Sequence, residues 1–508
     1  MTKYETYSHI DSALAEVLLK TQNHWQIIEV EMEVLRSLSH RLDGKLQLHL
    51  AQMFQMLQGK LQEVVSTLDT VIGDKKRTKA VNLDQISKKK GSINKIRFAS
   101  HAKGTIDKIL RDMDHWHGML QPYWFLLGRL QDPAVDQQLS TYEKSGSKQV
   151  WRLQELRDAI HGVEKRETGV FIAESNWIKN RSPILYTGGE IAQDSETQTH
   201  LYIESLVPHP CTSLNLALRN VRDLGRILSV VDPRLFCILA CRGVIKLPGP
   251  SGKRESFQLV FQIPEALHDP RSLREILLHD QRYPLDEILN FAKQLARAVM
   301  FVHTTNFVHK NLRPETIIAF QDSETSSPSA YTIGTPFLVG FQNVRPAAGT
   351  TYLCEDGEWQ KNLYRHPTRQ GTLPEDTYQM QHDIYSLGVC LLELGIWQSF
   401  IIPAEPNESC SPNSNLNIAS YLKIPPPKQA RAIKQEYLDM ATKRLPSLMG
   451  SRYTQIVTMC LGCLDPVSND FGHEREFLDA DGILVGVRYI EKVCEMWFYT
   501  MLLRIAKL

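Results

Sequence analysis

The segment 285–318 constrains the fold of this chain more than any other part of the sequence. Apolar residues recur at spacings of three and four along Leu285–His303, which predicts an amphipathic helix with one buried face. That helix leads directly into a polar loop, which ends in the apolar pair Ile317-Ile318. The loop reads Val308-His309-Lys310-Asn311-Leu312-Arg313-Pro314-Glu315-Thr316. A long helix followed by a short run of polar residues and then an apolar pair indicates a loop with a defined structure, and loops of this kind often carry functional residues.

This loop resembles the catalytic loop of protein kinases, H-R-D-L-x-x-x-N. In that family the Asp accepts the proton of the substrate hydroxyl, and the Asn holds a Mg²⁺ ion. The matching positions here are His309, Lys310, Asn311, Arg313 and Thr316. Asn311 stands in place of the Asp, and an amide cannot take up that proton. The resemblance therefore implies a kinase-like fold with degenerate chemistry. Arg313 matches the loop lysine, which leaves contact with a phosphate or an acidic ligand open, and it is equally explained as a surface ion-pair partner.

A second segment resembles the metal-binding D-F-G motif of the same family. It reads Gly340-Phe341-Gln342, with the packing Phe kept and glycine in place of the aspartate. Without that carboxylate a main Mg²⁺ ligand is absent.

A third segment, Asp383–Leu394, resembles the start of the central buried helix of a kinase C-lobe. The resemblance implies structural roles for Asp383, Gly388 and Glu393, with Asp383 bonded to the backbone of the catalytic loop. Tyr364–Pro367 resembles a variant of the A-P-E segment.

The expected nucleotide-binding features are missing from the segment 171–264. Gly188-Gly189 favours a hairpin turn over a glycine-rich phosphate loop. The run Leu201–Val207 lies where the lysine strand belongs but contains no lysine. Phe261, Gln262 and Ile263 are the candidate hinge, so ATP binding without an intact Mg²⁺ site stays open.

The whole chain has the character of an ordinary globular protein with at least two domains. It has 508 residues, 42% of them apolar, with a net charge of +1 and nine cysteines. Cys460-Leu461-Gly462-Cys463 has no second pair to complete a zinc site, so we predict packing and no metal. The first residues lack the apolar core of a signal peptide, and charges interrupt the apolar run 483–508. These patterns favour a cytoplasmic protein, with recruitment to membranes left open.

The apolar pattern of the N-terminal region predicts helices and no strands. Apolar stripes cover Ser8–Lys20, Asn23–Leu42, Leu46–Ile72 and Ile106–Leu120. Such helices bury their stripes best as a bundle. We expect a helical bundle over 1–145, a connecting helix over 146–170 and a bilobal α+β domain over 171–508, with lobes at 171–264 and 265–508.

A dense basic cluster interrupts the helical pattern. Residues 74–111 contain twelve Lys or Arg against three Asp, a local charge of +9. Lys88, Lys89, Lys90, Lys95 and Arg97 are its candidate anion-binding residues. Such a cluster attracts anionic lipid headgroups at about 1 kcal/mol per residue near the surface. A solvated face is an equally good explanation, and nucleic acid is not favoured because no RNA-binding aromatic motif accompanies the charge.

A helical bundle in front of a degenerate kinase domain resembles the architecture of mixed-lineage-kinase-domain-like proteins and of fungal HeLo-type cell-death proteins. That resemblance implies a pseudokinase signalling protein whose bundle acts on membranes or protein partners, with homo-oligomers formed through the bundle. Two alternatives remain: a protein kinase with a rearranged site, and a scaffold that binds proteins only.

Overall fold

The computed structural model describes most of the chain, with gaps. The described ranges are 3–41, 44–72, 103–118, 120, 123–124, 127–128, 132–142, 147–161, 169–173, 177–208, 212–248, 255–279, 281–323, 332–346, 357–371, 374–403 and 410–465. The chain divides into a first unit, Met1–Glu155, and a second unit, Leu156–Leu508. The division falls inside the segment 146–170 assigned to the connection.

Helices make up the described part of the first unit. They are α1 (Lys3–Leu38), α2 (Gly44–Ile72), α3 (Lys103–Gly118), α4 (Pro133–Thr141) and α5 (Lys148–Ile160), the last of which crosses into the second unit. The predicted break between Lys20 and Asn23 is wrong, because α1 runs through it without interruption. Thr21 and Gln22 are not strong helix breakers, and Thr21 is buried. No described helix is both long and apolar enough to cross a membrane.

The apolar stripes of these helices form the core of the first unit. The buried residues include Ile28, Met32, Leu35 and Leu38 of α1, Leu50, Leu57 and Val64 of α2, and Ile106, Met113 and Trp116 of α3. One buried carboxylate lies among them: Glu31 accepts a hydrogen bond from His117 at 2.7 Å. The three- and four-residue periodicity thus describes the buried faces well.

A mixed six-stranded sheet opens the second unit. Its strands are β1 (Phe171–Ile172), β2 (Ile178–Pro183), β3 (Gly189–Asp194), β4 (His200–Leu206), β5 (Ala240–Leu247) and β6 (Ser256–Gln262), in the order β1-β5-β6-β4-β3-β2. Only β1 and β5 pair in parallel within it. Helix α6 (Leu214–Ser229) packs on the sheet where Gly225 lets it approach: a Cβ there would come 2.5 Å from Val170 and 3.0 Å from Val244.

Helices and small sheets make up the rest of the second unit. The elements are α7 (Pro233–Phe236), β7 (Leu267–Ser272), α8 (Leu273–Leu278), α9 (Leu285–Thr304), β8 (Phe307–Val308), β9 (Ile317–Asp322), β10 (Thr335–Leu338), β11 (Arg345–Pro346), α10 (Trp359–Asn362), α11 (Met380–Ile396), β12 (Ile401–Ile402), β13 (Ser411–Pro412), α12 (Ile418–Tyr421), α13 (Pro426–Met449) and α14 (Ser451–Leu461). Helix α11 is buried along its whole length. The chain is therefore an α+β protein with a helical N-terminal unit.

A buried ion network joins α8 to the fully buried helix α11. The guanidinium of Arg274 donates to Glu393 at 3.1 Å and to Glu315 at 3.2 Å. Tyr364 donates its hydroxyl to the other oxygen of Glu393 at 2.9 Å, and Arg274 also donates to Ser399. Because Arg274 and Glu393 are almost fully buried, each depends on the other for charge compensation.

We expect Arg274→Met to lower the free energy of unfolding by about 3–5 kcal/mol, because the substitution leaves Glu393 as an uncompensated buried charge. Urea denaturation measures this difference. The matched control is Arg181→Met, which removes an exposed pair with Glu190 and should cost less than about 1 kcal/mol. Equal losses in the two variants would contradict a special role for the buried network.

Candidate functional site

Two loops of the second unit meet at the end of the β9–β10 hairpin. The hairpin register pairs Ile317 with Leu338, so the residues just outside the hairpin, Thr316 and Val339, lie side by side. Val339 donates its N–H to the carbonyl of Thr316 at 2.9 Å. The loop 309–316 and the turn 340–342 are therefore brought together by strand pairing.

Three residues lie close together where the two loops meet: Asn311, Thr316 and Gly340. Asn311 donates its side-chain N–H to the carbonyl of Gly340 at 3.3 Å, and Thr316 donates its hydroxyl to the carbonyl of Asn311 at 2.8 Å. Gly340 has a φ of +88°, and a Cβ there would collide with the methyl group of Thr316. These are the three positions where the resemblance implies a base and two Mg²⁺ ligands, and together they contribute no carboxylate.

Neutral rings flank this convergence. His309 donates its Nε2–H to the carbonyl of Val339 at 3.0 Å, and its ring meets that of Phe341 edge to face at 5.2 Å. Burial lowers the pKa of His309 to about 4, so the imidazole is neutral at physiological pH. Gln342 follows on a short 3-10 turn and is partly exposed.

The two cations of the loop have partners within the protein. Lys310 has a φ of +64°, and its ammonium lies 5.4 Å from the ring centre of Tyr378. Arg313 lies 4.0 Å from a carboxylate oxygen of Glu315. A phosphate or an acidic ligand that binds Arg313 would therefore compete with the carboxylate of Glu315.

Asp383 fixes the backbone of this loop. Its carboxylate accepts the N–H groups of His309 at 2.7 Å and Lys310 at 2.9 Å. The hydroxyl of Tyr378 donates to it at 2.6 Å, and His303 Nε2 lies 3.1 Å away. Burial by itself would raise the pKa of Asp383, but the hydrogen bond and charge of His303 and the hydrogen bond from Tyr378 lower it to about 2.

The other two structural candidates lie on the same helix, α11. A Cβ at Gly388 would come 2.7 Å from the Cβ of Cys460, so glycine is what allows α11 and α14 to approach closely. Glu393 belongs to the buried network of Arg274.

The candidate hinge offers few hydrogen-bond donors to a ligand. Phe261 is buried, with its ring centre 5.9 Å from that of Tyr202 and 6.0 Å from that of Phe341. Gln262 is exposed, and Ile263 donates its N–H to the carbonyl of His200 at 3.0 Å. The next residue is proline, which has no N–H.

Sequence reasoning missed two residues on the facing strand β4. Tyr202 and Glu204 are almost fully buried on one face of the sheet. The Tyr202 ring occupies the space where a Cβ at Gly189 would lie, so the hairpin glycine makes room for it. Glu204 accepts the N–H of Gly340 at 2.8 Å. The available signal in the sequence was an acidic residue directly after the apolar residues Leu201-Tyr202-Ile203.

The predicted lipid-binding residues lie outside the described residues. Lys88, Lys89, Lys90, Lys95 and Arg97 all fall in the range 73–102. Among the described residues, no group of three or more His, Cys, Asp or Glu side chains is arranged to hold a metal ion.

Comparison with known proteins finds no family model that matches the sequence and no curated protein related to it. The arrangement of the loops themselves is therefore the basis for any functional conclusion. It joins two loops by hydrogen bonds, and positions 311, 316 and 340 at their junction contribute no carboxylate.

We expect Asp383→Asn to destabilise the protein by about 1–3 kcal/mol, because an amide NH₂ would face at least one backbone N–H that now has an acceptor. Since the pKa of Asp383 is lowered on folding, its contribution is complete above about pH 4 and is lost as the pH falls towards about 2. Unfolding free energies from about pH 3 to about pH 7 measure both effects.

Asp439→Asn is the matched control, since the Asp439 carboxylate lies at the surface beside Lys443. We expect its cost to be clearly smaller than that of Asp383→Asn, because solvent screens an exposed pair. A wild-type protein and an Asp383→Asn variant with the same acid dependence would contradict the assigned role of Asp383.

Proposed function

We propose that this chain is a non-catalytic, protein-kinase-like signalling protein whose N-terminal helices act on anionic membranes or on partner proteins. The observation that carries the proposal is the convergence of Asn311, Thr316 and Gly340 in loops fixed by Asp383. In a protein kinase two of these positions hold carboxylates and the third holds an asparagine, which serve the substrate hydroxyl and the metal ions.

The order of elements supports the kinase-like part of the proposal. A mainly antiparallel sheet with one packed helix comes first, and a long helix, the polar loop, a hairpin and a buried helix follow. The contacts from Asp383 to the backbone of His309 and Lys310 are those that the resemblance implies.

The described carboxylates near the junction do not replace the missing chemistry. Asp383 is surrounded by donors, and Glu204 lies at the backbone N–H of Gly340. The turn at Gly340 leaves no room for a side chain because Thr316 fills that space. Phosphoryl transfer is mostly positioning and charge neutralisation, and neither is available here.

We therefore expect no transfer of phosphate from ATP to the chain itself or to a general protein substrate, with either Mg²⁺ or Mn²⁺ present. We also expect no saturable shift of the unfolding temperature with ATP, since Tyr202 fills the face of the sheet under Gly189 and the stretch 261–264 offers few donors. Radiolabel incorporation and thermal unfolding of the full chain are the measurements.

Asn311→Asp is the informative variant, because it restores the base without restoring a metal ligand, and we expect it to be inactive as well. Incorporation by the wild type that Asn311→Ala abolishes would favour a kinase with a rearranged site. Incorporation that is the same in both proteins would point to a contaminating kinase.

The basic cluster at residues 74–111 is the basis for the membrane part of the proposal. Reversing Lys88, Lys89 and Lys90 to Glu removes at least about 3 kcal/mol of attraction to an anionic surface, which is roughly a hundredfold in affinity. We expect this loss in co-sedimentation of the full chain with vesicles that contain phosphatidylserine, and we expect no binding to phosphatidylcholine vesicles.

The control carries the same change of charge on exposed lysines of the second unit, Lys423, Lys428 and Lys443. We expect it to bind like the wild type. Equal binding of the two triple variants would contradict the membrane part of the proposal. Failure of the wild type to bind either kind of vesicle would contradict it as well. In both cases a scaffold that binds only proteins remains.

A further inference from the structure

Strand β4 and the turn 340–342 are joined by one carboxylate. Glu204 is almost fully buried, and one of its oxygens, Oε2, accepts the N–H of Gly340 at 2.8 Å. The N–H groups of Phe341 and Gln342 also face this carboxylate and favour its charged form. The six-stranded sheet is therefore attached here to the helical part of the second unit.

Few groups around Glu204 compensate the negative charge of its carboxylate. Its second oxygen, Oε1, is buried and has no hydrogen-bond partner in the described structure. No described cation forms an ion pair with Glu204, in contrast to Glu393, which lies 3.1 Å from the guanidinium of Arg274. A buried carboxylate without a cation favours the protonated form.

Other contacts across this boundary include two neutral hydrogen bonds and one ion pair near the surface. Ser272 donates its hydroxyl to the carbonyl of Leu185 at the tip of the β2–β3 hairpin, at 2.8 Å. Leu338 donates its N–H to the carbonyl of Cys237 at 2.9 Å. Arg234 lies 3.8 Å from a carboxylate oxygen of Asp322. Neither hydrogen bond changes with pH, and Glu204 is the almost fully buried carboxyl group at this boundary.

We propose that Glu204 is a proton-controlled latch, which holds strand β4 on the turn Gly340–Gln342 when protonated and favours separation of the two when it ionises. The latch concerns the opening of the second unit and does not depend on the proposed function. Separation exposes the carboxyl group to water, where its charged form is stable, so opening releases a proton.

The groups around Glu204 leave it free to titrate alone near neutral pH. Burial raises the pKa of Glu204 to about 7, although the facing N–H groups lower it. Tyr202 on the same strand stays neutral because burial raises its pKa well above the usual value. The adjoining loop contributes the neutral amide of Asn311 and the neutral ring of His309, whose pKa is lowered by burial to about 4.

The flanking strands place no charged residue directly opposite Glu204. Gly189 and Leu259 are the residues paired with Glu204 on β3 and β6, and the turn itself contributes the neutral side chains of Phe341 and Gln342. The pH dependence of opening in this part of the structure is thus assigned to one carboxyl group.

The direction of the effect follows from the two protonation states. In the closed state the pKa is about 7, and after opening it returns to about 4.3. The stabilisation of the closed form is complete below about pH 4 and is lost as the pH rises through about 7. The opening equilibrium constant should increase about tenfold between about pH 6 and about pH 8.

Hydrogen exchange of the full chain tests this latch. We expect the protection factors of the Gly340, Phe341 and Gln342 amides, corrected for intrinsic exchange, to fall about tenfold over that range in the wild type. In Glu204→Gln, which has the same shape and does not titrate, we expect them to stay constant. Because the turn has the same sequence in both proteins, the comparison removes the intrinsic pH dependence of exchange.

Protection in the wild type that does not change with pH, or that falls equally in Glu204→Gln, would overturn the latch. Should the Gln variant not fold, infrared spectroscopy of the wild type provides a second test. We expect one protonated carboxyl band to disappear between about pH 6 and about pH 8. The absence of such a band would also overturn the proposal.

Discussion

The buried carboxylate of Asp383 is the interaction on which the rest of the second unit depends. It lies on the fully buried helix α11 and accepts two successive backbone N–H groups, those of His309 and Lys310. Those bonds stabilise Lys310 in a left-handed conformation that a lysine would otherwise avoid. Because the loop is fixed there, Asn311 and Thr316 are delivered to the same place next to Gly340. The loop 309–316 and the turn at Gly340 therefore owe their relative position largely to this one carboxylate.

The residues at this junction form a consistent set. An aspartate at 340 would need a Cβ, and Thr316 occupies that space with its methyl group. Asn311 uses its amide to donate to the carbonyl of Gly340, which a carboxylate could not do. Thr316 uses its hydroxyl to close the loop on itself. Each residue suits its neighbours as they are, so a carboxylate introduced at position 311 or 340 would break contacts made by the others.

The loops and the central helix were predicted because short stretches of the sequence resemble family motifs. Most helices of the first unit were predicted because their buried faces follow the 3.6-residue period. The continuity of α1 was not predicted, since burial of Thr21 is a property of the packed helices. Nor was the pair Arg274–Glu393, whose members are 119 residues apart in the chain. Glu204 was not predicted either, because its role depends on a contact with Gly340, which lies 136 residues further along the chain.

Three buried carboxylates of the second unit show how the surrounding groups determine whether a buried carboxyl group is ionised. Asp383 has donors on every side and is held ionised. Glu393 faces a buried guanidinium, so charge and countercharge are balanced within the core. Glu204 has neither a cation nor a full set of donors, and burial moves its pKa to about 7. An apolar side chain of the same size would avoid the desolvation cost that Glu204 carries at the boundary between the sheet and the helical part. The proposed latch gives that cost a role, because the closed boundary is weakened only when the carboxyl group ionises.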